Sequence, residues 1–158
     1  MENKGMNSPK VCAPPVLVLS GAGAAQILLR KKPLNPARAV CAALVGAASA
    51  GMLASSVLRF RQQDTTVNPV QPEAVSSLVT SGPNAISRNP MYLGMTGLLC
   101  AHALWRGRWS ATVPAVAFAV WIDRVQIPPE EVALEERFGR EYEAYRSSVP
   151  RWLVWTDK

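Results

Sequence analysis

Three long stretches without a single charged residue set the terms for any fold of this chain. Residues 11–29 are uncharged for 19 positions, 39–58 for 20 and 89–105 for 17. Helices of those lengths match a bilayer's hydrocarbon core of about 30 Å. Inside lipid every backbone N–H and C=O must be paired within the chain, so such stretches are read as helices. A fourth uncharged run, 109–122, is 14 residues long. At about 21 Å it must tilt, sink into the interface or continue through Ile127. Arg106-Gly107-Arg108 makes a tight turn between the third and fourth runs, which therefore form a helical hairpin.

These features predict an all-α polytopic membrane protein with about four transmembrane helices. From Asp123 onward the chain is polar, and a cytosolic amphipathic C-terminal helix completes the fold. Three parts are expected: a tail at 1–10, a two-helix membrane scaffold at 11–58, and a functional core at 59–158. In the second span Ala42, Gly46, Ala50 and Ala54 recur every four residues, with Ala43, Ala47 and Gly51 beside them. That small-residue stripe would let helix backbones approach closely.

The chain carries 17 Lys and Arg against 11 Asp and Glu. Its basic residues flank the apolar runs instead of forming one stripe, so membrane lipids with anionic headgroups are the expected partners. No nucleic acid is expected, and no obligate protein partner is evident. Cys12, Cys41 and Cys100 lie in apolar runs without paired spacing, which indicates neither a metal site nor a disulfide framework. His102, the one histidine, sits among alanines and leucine and is expected to hydrogen-bond between helices.

The chemistry concentrates in two places. The polar segment 59–87 holds turn signals, ending in Ser81-Gly82-Pro83, and leads into Arg88-Asn89-Pro90 at the mouth of the third span. Pro90 suits a first helical position, so the free N–H groups of Met91 to Leu93 and the helix dipole would face whatever Arg88 faces. An anionic group fits there. After Pro128-Pro129 a new helix is expected, with Glu131, Leu134, Phe138, Tyr142 and Tyr145 on one face. Glu130 lies about 80° off that face's centre, so Glu131 is the better candidate to point into a site. Gly139, in mid-helix, suggests a bend or a close contact.

Thr80-Ser81-Gly82-Pro83, Arg88 through Gly94, and the pattern from Glu130-Glu131 to Val149-Pro150-Arg151 together resemble the isoprenylcysteine carboxyl methyltransferases and related phospholipid methyltransferases. The resemblance covers about residues 64–153. It implies S-adenosylmethionine bound on the cytoplasmic side, with Gly82 and Pro83 shaping the pocket and Asn89, Tyr92, Leu93 and Gly94 lining the cofactor. Glu131, with Glu130, would hold the cofactor's ammonium. Arg88 would orient the acceptor or the cofactor's carboxylate, making Arg88 and Glu131 the catalytic pair. The family usually has histidine where Asn89 stands and an aromatic where Asn84 follows Gly-Pro. Asparagine cannot take part in acid–base work near neutral pH.

The reading is a membrane methyltransferase acting on a lipid-like substrate from the bilayer. No base poised near pH 7 is evident among Tyr92, Tyr142 and the glutamates, which favours an isoprenylcysteine-type carboxylate acceptor over a phospholipid amine. The alternatives are an NADPH-dependent membrane reductase, whose relatives share the Arg-Asn-Pro-Met-Tyr region, and a non-catalytic lipid-binding protein. Orientation meets one objection: six of the 17 basic residues, Arg30, Lys31, Lys32, Arg38, Arg106 and Arg108, fall on the side opposite the site, leaving 11 with it.

Overall fold

The computed structural model describes residues 14–29, 32, 33, 35–62 and 77–154. The expected tail at 1–10 and most of the polar loop, 63–76, lie outside the described residues. Among those described, every regular element is helical. Helix α1 runs Pro15–Leu28 and α2 runs Pro36–Gln62. The side-chain oxygen of Asn35 accepts from the Arg38 backbone N–H at 2.8 Å, capping the start of α2. Helix α3, Pro90–Arg106, starts with its proline in the first turn and stops at Gly107, whose φ of 69° lies in the left-handed region. A short 3₁₀ turn at Trp109–Ala111 leads into α4, Thr112–Trp121.

The hairpin of α3 and α4 is present as expected, but the fourth helix does not stop where its apolar run ends. A π-helical turn, Ile122–Gln126, joins α4 directly to α5, Ile127–Phe138. The Ile127 N–H bonds to the Ile122 carbonyl, five residues back. That wider turn opens just before Pro128 and Pro129, whose rings would otherwise press on the carbonyls of the preceding turn. The prolines thus fall in the first turn of α5, where their missing N–H groups are tolerated. The expected single C-terminal helix is instead two. Gly139, at φ 50° and ψ −121°, breaks it, and α6 follows at Arg140–Ser148. A Cβ at Gly139 would meet nothing within 4 Å, so the residue serves the bend and no close contact.

Only α2, among the described residues, is long and apolar enough to cross a bilayer by itself: its 27 residues reach about 40 Å. Helix α1 is apolar but has 14 residues, or about 21 Å of helix. The exterior nevertheless suits lipid. Val16, Leu17, Ile27 and Leu28 of α1, Val40, Leu44 and Leu58 of α2, and Val113, Val116 and Val120 of α4 are all exposed. An apolar surface spread over several helices marks contact with lipid or with another apolar partner.

Helices α2 and α3 form the tightest pair. A Cβ on Gly46 would touch Ala101, and one on Gly94 would lie 2.7 Å from Leu53 Cγ and 2.9 Å from the Ser49 carbonyl. The contact row of α2 is Ala42, Gly46, Ser49, Leu53 and Ser56, with Ala42, Ser49 and Ser56 buried. Ala50 and Ala54 of the expected four-residue stripe are exposed, as are Ala43, Ala47 and Gly51. Steps of four advance about 40° per turn and wind off the interface, whereas alternating steps of three and four stay on it.

Tyr92, Met95 and Leu99 of α3 pack with Ala115, Phe118, Ile122 and Ile127, and Val18, Leu19 and Ala22 of α1 close over them. Gln26 fastens α1 to the hairpin. Its fully buried amide donates to the carbonyls of Leu99 at 3.0 Å and Ala111 at 2.7 Å. With Nε2 spent, Gln26 Oε1 is the acceptor, so His102 Nδ1, 2.7 Å away, must carry the proton. The inter-helix role expected for the histidine is what the structure shows.

Candidate active site

The stretch 82–89 folds into a compact turn. Gly82 has φ 65°, a conformation glycine adopts without strain, and the side chain of Arg59 lies against it. Pro83 then starts a 3₁₀ turn, Gly82–Ala85, with the Ile86 and Ser87 N–H groups bonding back to the Pro83 carbonyl. The chain end runs alongside. The Arg88 N–H donates to the Pro150 carbonyl at 2.9 Å, and Ser87 Oγ and Asn89 Nδ2 both donate to the Arg151 carbonyl, at 3.0 and 3.2 Å. Tyr145 closes the other flank by donating its hydroxyl to the Asn84 carbonyl at 2.7 Å. Leu134, Phe138, Tyr142, Tyr145 and Val149 form one cluster with Leu78, so the apolar face expected of the C-terminal helix survives the break at Gly139.

Arg88 is held at the centre. Its side chain is 2 % exposed. Nη1 donates to the carbonyls of Arg146 and Val149 at the end of α6, 3.1 and 2.9 Å away, groups that no further helical turn can satisfy. Nη2 donates to Glu131 Oε1 at 2.9 Å. The anion expected opposite Arg88 is thus the protein's own Glu131. Arg151 reaches the same carboxylate, with Nη2 2.5 Å from Oε2 and Nε 3.3 Å from Oε1. It also places Nη1 3.4 Å from Asp123 Oδ1, which accepts from Trp152 Nε1 at 2.8 Å.

Glu130, one residue earlier, has a different environment. Its Oε1 accepts from the Tyr92 hydroxyl at 2.5 Å and from Gln126 Nε2 at 2.7 Å, and no guanidinium pairs with it among the described residues. Burial pushes its carboxyl up to about 7, against the opposing pull of those two donors and with the Glu131 charge adding to the rise. Two adjacent glutamates therefore divide. Glu131 lies between two cations, while Glu130 sits among neutral groups.

Burial also raises the two tyrosines of α6, Tyr145 up to about 12 and Tyr142 well above the usual phenol range, with the Glu131 charge adding to the latter. The Tyr142 hydroxyl and Asn84 Oδ1 are buried without a hydrogen-bond partner among the described residues.

The structure brings together Arg88, Glu131, Asn89, Tyr92 and Glu130, and Gly82 and Pro83 form the turn that carries them. Leu93 is half-buried. Gly94 has its open side against α2, where it admits Leu53 and Ser49. Arg151, Asp123, Gln126 and Trp152 join the cluster without having been singled out as site residues. The one sequence signal for Arg151 was its place at the end of Val-Pro-Arg. Asp123 and Gln126 gave none, because the π turn that aims them is not legible in residue types. The described residues hold no group of histidine, cysteine and acidic side chains suited to a metal.

With this geometry in hand, comparison with known proteins is decisive for the family. The phospholipid methyltransferase family pattern matches residues 37–141, from the start of α2 into α6. The chain belongs to that family. The matched region holds α2, the turn at 82–89, the hairpin and both glutamates, and makes this a membrane methyltransferase by family. An uncharacterised protein of Haemophilus influenzae is 41 % identical over 63 residues, which are 40 % of this chain and the whole of that relative. No solved structure matches.

Proposed function

We propose that this chain transfers a methyl group from S-adenosylmethionine to a lipid-like amphiphile reaching the site from the bilayer. The observation supporting this is the alternation of guanidinium, carboxylate and guanidinium at Arg88, Glu131 and Arg151, supplied by three separate stretches of sequence. An α-amino acid head carries one ammonium and one carboxylate. Glu131 suits the first and the two guanidiniums suit the second. The buried, unpaired polar atoms of Asn84 and Tyr142 offer an acceptor and a donor that a polar ligand beside the cluster would satisfy. When bound, the cofactor supplies an electrophilic methyl on a sulfonium. The protein's contribution is alignment and exclusion of water, which the packed Tyr92, Ile122 and Ile127 around the site favour. The site is assigned to the cytoplasmic side because that is where such a cofactor is available.

An amine headgroup is the acceptor that the charges favour. With Arg88 and Arg151 shared among Glu131, Asp123 and the cofactor's own carboxylate, a second carboxylate on the acceptor would find no further cation there and would meet Glu130 as an added negative group. A phospholipid amine therefore leads, with an isoprenylcysteine-type carboxylate second. Equilibrium titration of the purified protein in lipid nanodiscs tests the cofactor. Saturable S-adenosylmethionine binding, weakened at least tenfold in Glu131→Gln, is expected. Binding of NADPH without S-adenosylmethionine would point to the reductase reading and refute this one.

A further inference from the structure

The division between the two glutamates carries an inference that deepens the amine reading and rests on it. We propose that Glu130 is the proton acceptor for the amine substrate, while Glu131 remains paired with its two guanidiniums. Both of Glu130's hydrogen bonds, from Tyr92 and from Gln126, fall on Oε1. No donor among the described residues is placed on Oε2. One oxygen is thus anchored from α3 and from the π turn, which fixes the carboxyl's direction, and the other keeps its lone pairs for a proton. The residue as a whole is only partly buried, and Oε2 is not among the buried polar atoms left without a partner. Glu131 cannot serve in this way, because guanidiniums occupy both of its oxygens.

Among the described residues, the groups that set Glu130's proton affinity are Tyr92 from α3, Gln126 one turn back, and the neighbouring Glu131, whose own charge is matched by Arg88 and Arg151. Burial is the largest influence and holds the carboxyl at about 7. A base near the working pH is half available as carboxylate and still basic enough to take a proton. The sequence alone shows two adjacent acids. The structure sets them apart, and carboxylates in contrasting environments mark a division of roles.

An N–H bond of the lipid ammonium breaks and an O–H bond forms at Glu130 Oε2, leaving the electron pair on nitrogen. That pair forms the new N–C bond to the methyl of a sulfonium donor, whose C–S bond breaks with its electrons staying on sulfur as a neutral thioether. Nitrogen ends with one methyl and a positive charge. Glu130 ends protonated and returns its proton to water.

The test uses the full chain in nanodiscs of phosphatidylethanolamine and phosphatidylglycerol. In Glu130→Gln, methyl-label transfer to the amine lipid is expected to fall at least about 100-fold even when the cofactor concentration saturates the variant, so that weaker cofactor binding does not account for the loss. The wild-type rate should rise with pH to a plateau with a midpoint near the Glu130 value, and the residual rate of the variant should lack that midpoint. Tyr92→Phe keeps the carboxyl but removes a bond that favours its ionised form, so the midpoint should move up. Infrared titration without cofactor gives an independent readout: a carboxylic acid carbonyl band should disappear over the same pH range and be missing in Glu130→Gln. A Glu130→Gln protein that methylates the amine at close to the wild-type rate once the cofactor saturates it overturns the proposal alone. Wild-type protein that methylates a lipid carboxylate and no amine overturns it together with the amine reading.

Discussion

Removing the two guanidiniums that share Glu131 should cost more together than separately, and the structure says by how much. Arg88 is buried and makes three charge-assisted bonds, two to the end of α6 and one to Glu131. Loss of one partner of a buried pair costs about 3–5 kcal/mol. Because Arg151 still neutralises Glu131 in Arg88→Met, the lower end, about 3 kcal/mol, is expected. Arg151 is 18 % exposed, and water can replace part of its contact. Arg151→Met should therefore cost about 1–2 kcal/mol, within the range for hydrogen bonds to charged groups. In the double variant Glu131 is left buried with no cation, and the cost should exceed the sum of the singles by at least about 1 kcal/mol. Adding Glu131→Gln to the double variant should recover most of that excess. Reversible unfolding in mild detergent, followed by tryptophan fluorescence, measures the four variants against wild type. Additivity within about 0.5 kcal/mol, or no recovery from Glu131→Gln, would refute the claim that one carboxylate couples the turn at 82–89 to the chain end.

Two further outcomes follow from the same structure. Gly94→Ala places a Cβ 2.9 Å from a backbone carbonyl that cannot rotate away, so it should destabilise the α2–α3 pair by about 1–3 kcal/mol; the same unfolding assay checks it, with Gly51→Ala, where an added Cβ meets nothing within 4 Å, as the control that should not destabilise. Glu130 gives a pH dependence of known sign. Its folded value is raised from 4.5 to about 7, so the folded state binds the extra proton between those values, and stability should fall as pH rises through that window. Glu130→Gln should flatten this slope, and an unchanged slope in the variant would remove Glu130 as its source.

How much of this was legible in the sequence depends on the range over which each signal acts. The helical class, the start of α3 at Pro90 and the hairpin at Arg106-Gly107-Arg108 are encoded in neighbouring residues, and the structure agrees. Pairing Arg88 with Glu131 was also within reach, since both stood out as charges at helix mouths. Pro128-Pro129 marked a helix start correctly, with Glu130 in the first turn of α5, but the π turn that joins α5 to α4 has no composition of its own and was not legible. Arg151 was missed as a site residue for another reason: its partners, Asp123 and Glu131, are distant in sequence, and only the docking of residues 149–152 along the 82–89 turn brings them together. The stripe on α2 was right in kind and wrong in register, since small residues occur on exposed faces as well as on the face that meets α3.

The most direct test of the central claim is label transfer from methyl-labelled S-adenosylmethionine to lipid in native-lipid nanodiscs, followed by mild alkali. Label in the lipid fraction should survive alkali, as an N-methyl group does, and should be lost in Glu131→Gln. Label released as methanol would contradict the amine acceptor, and no transfer to any lipid by wild-type protein that binds the cofactor would contradict the methyltransferase itself.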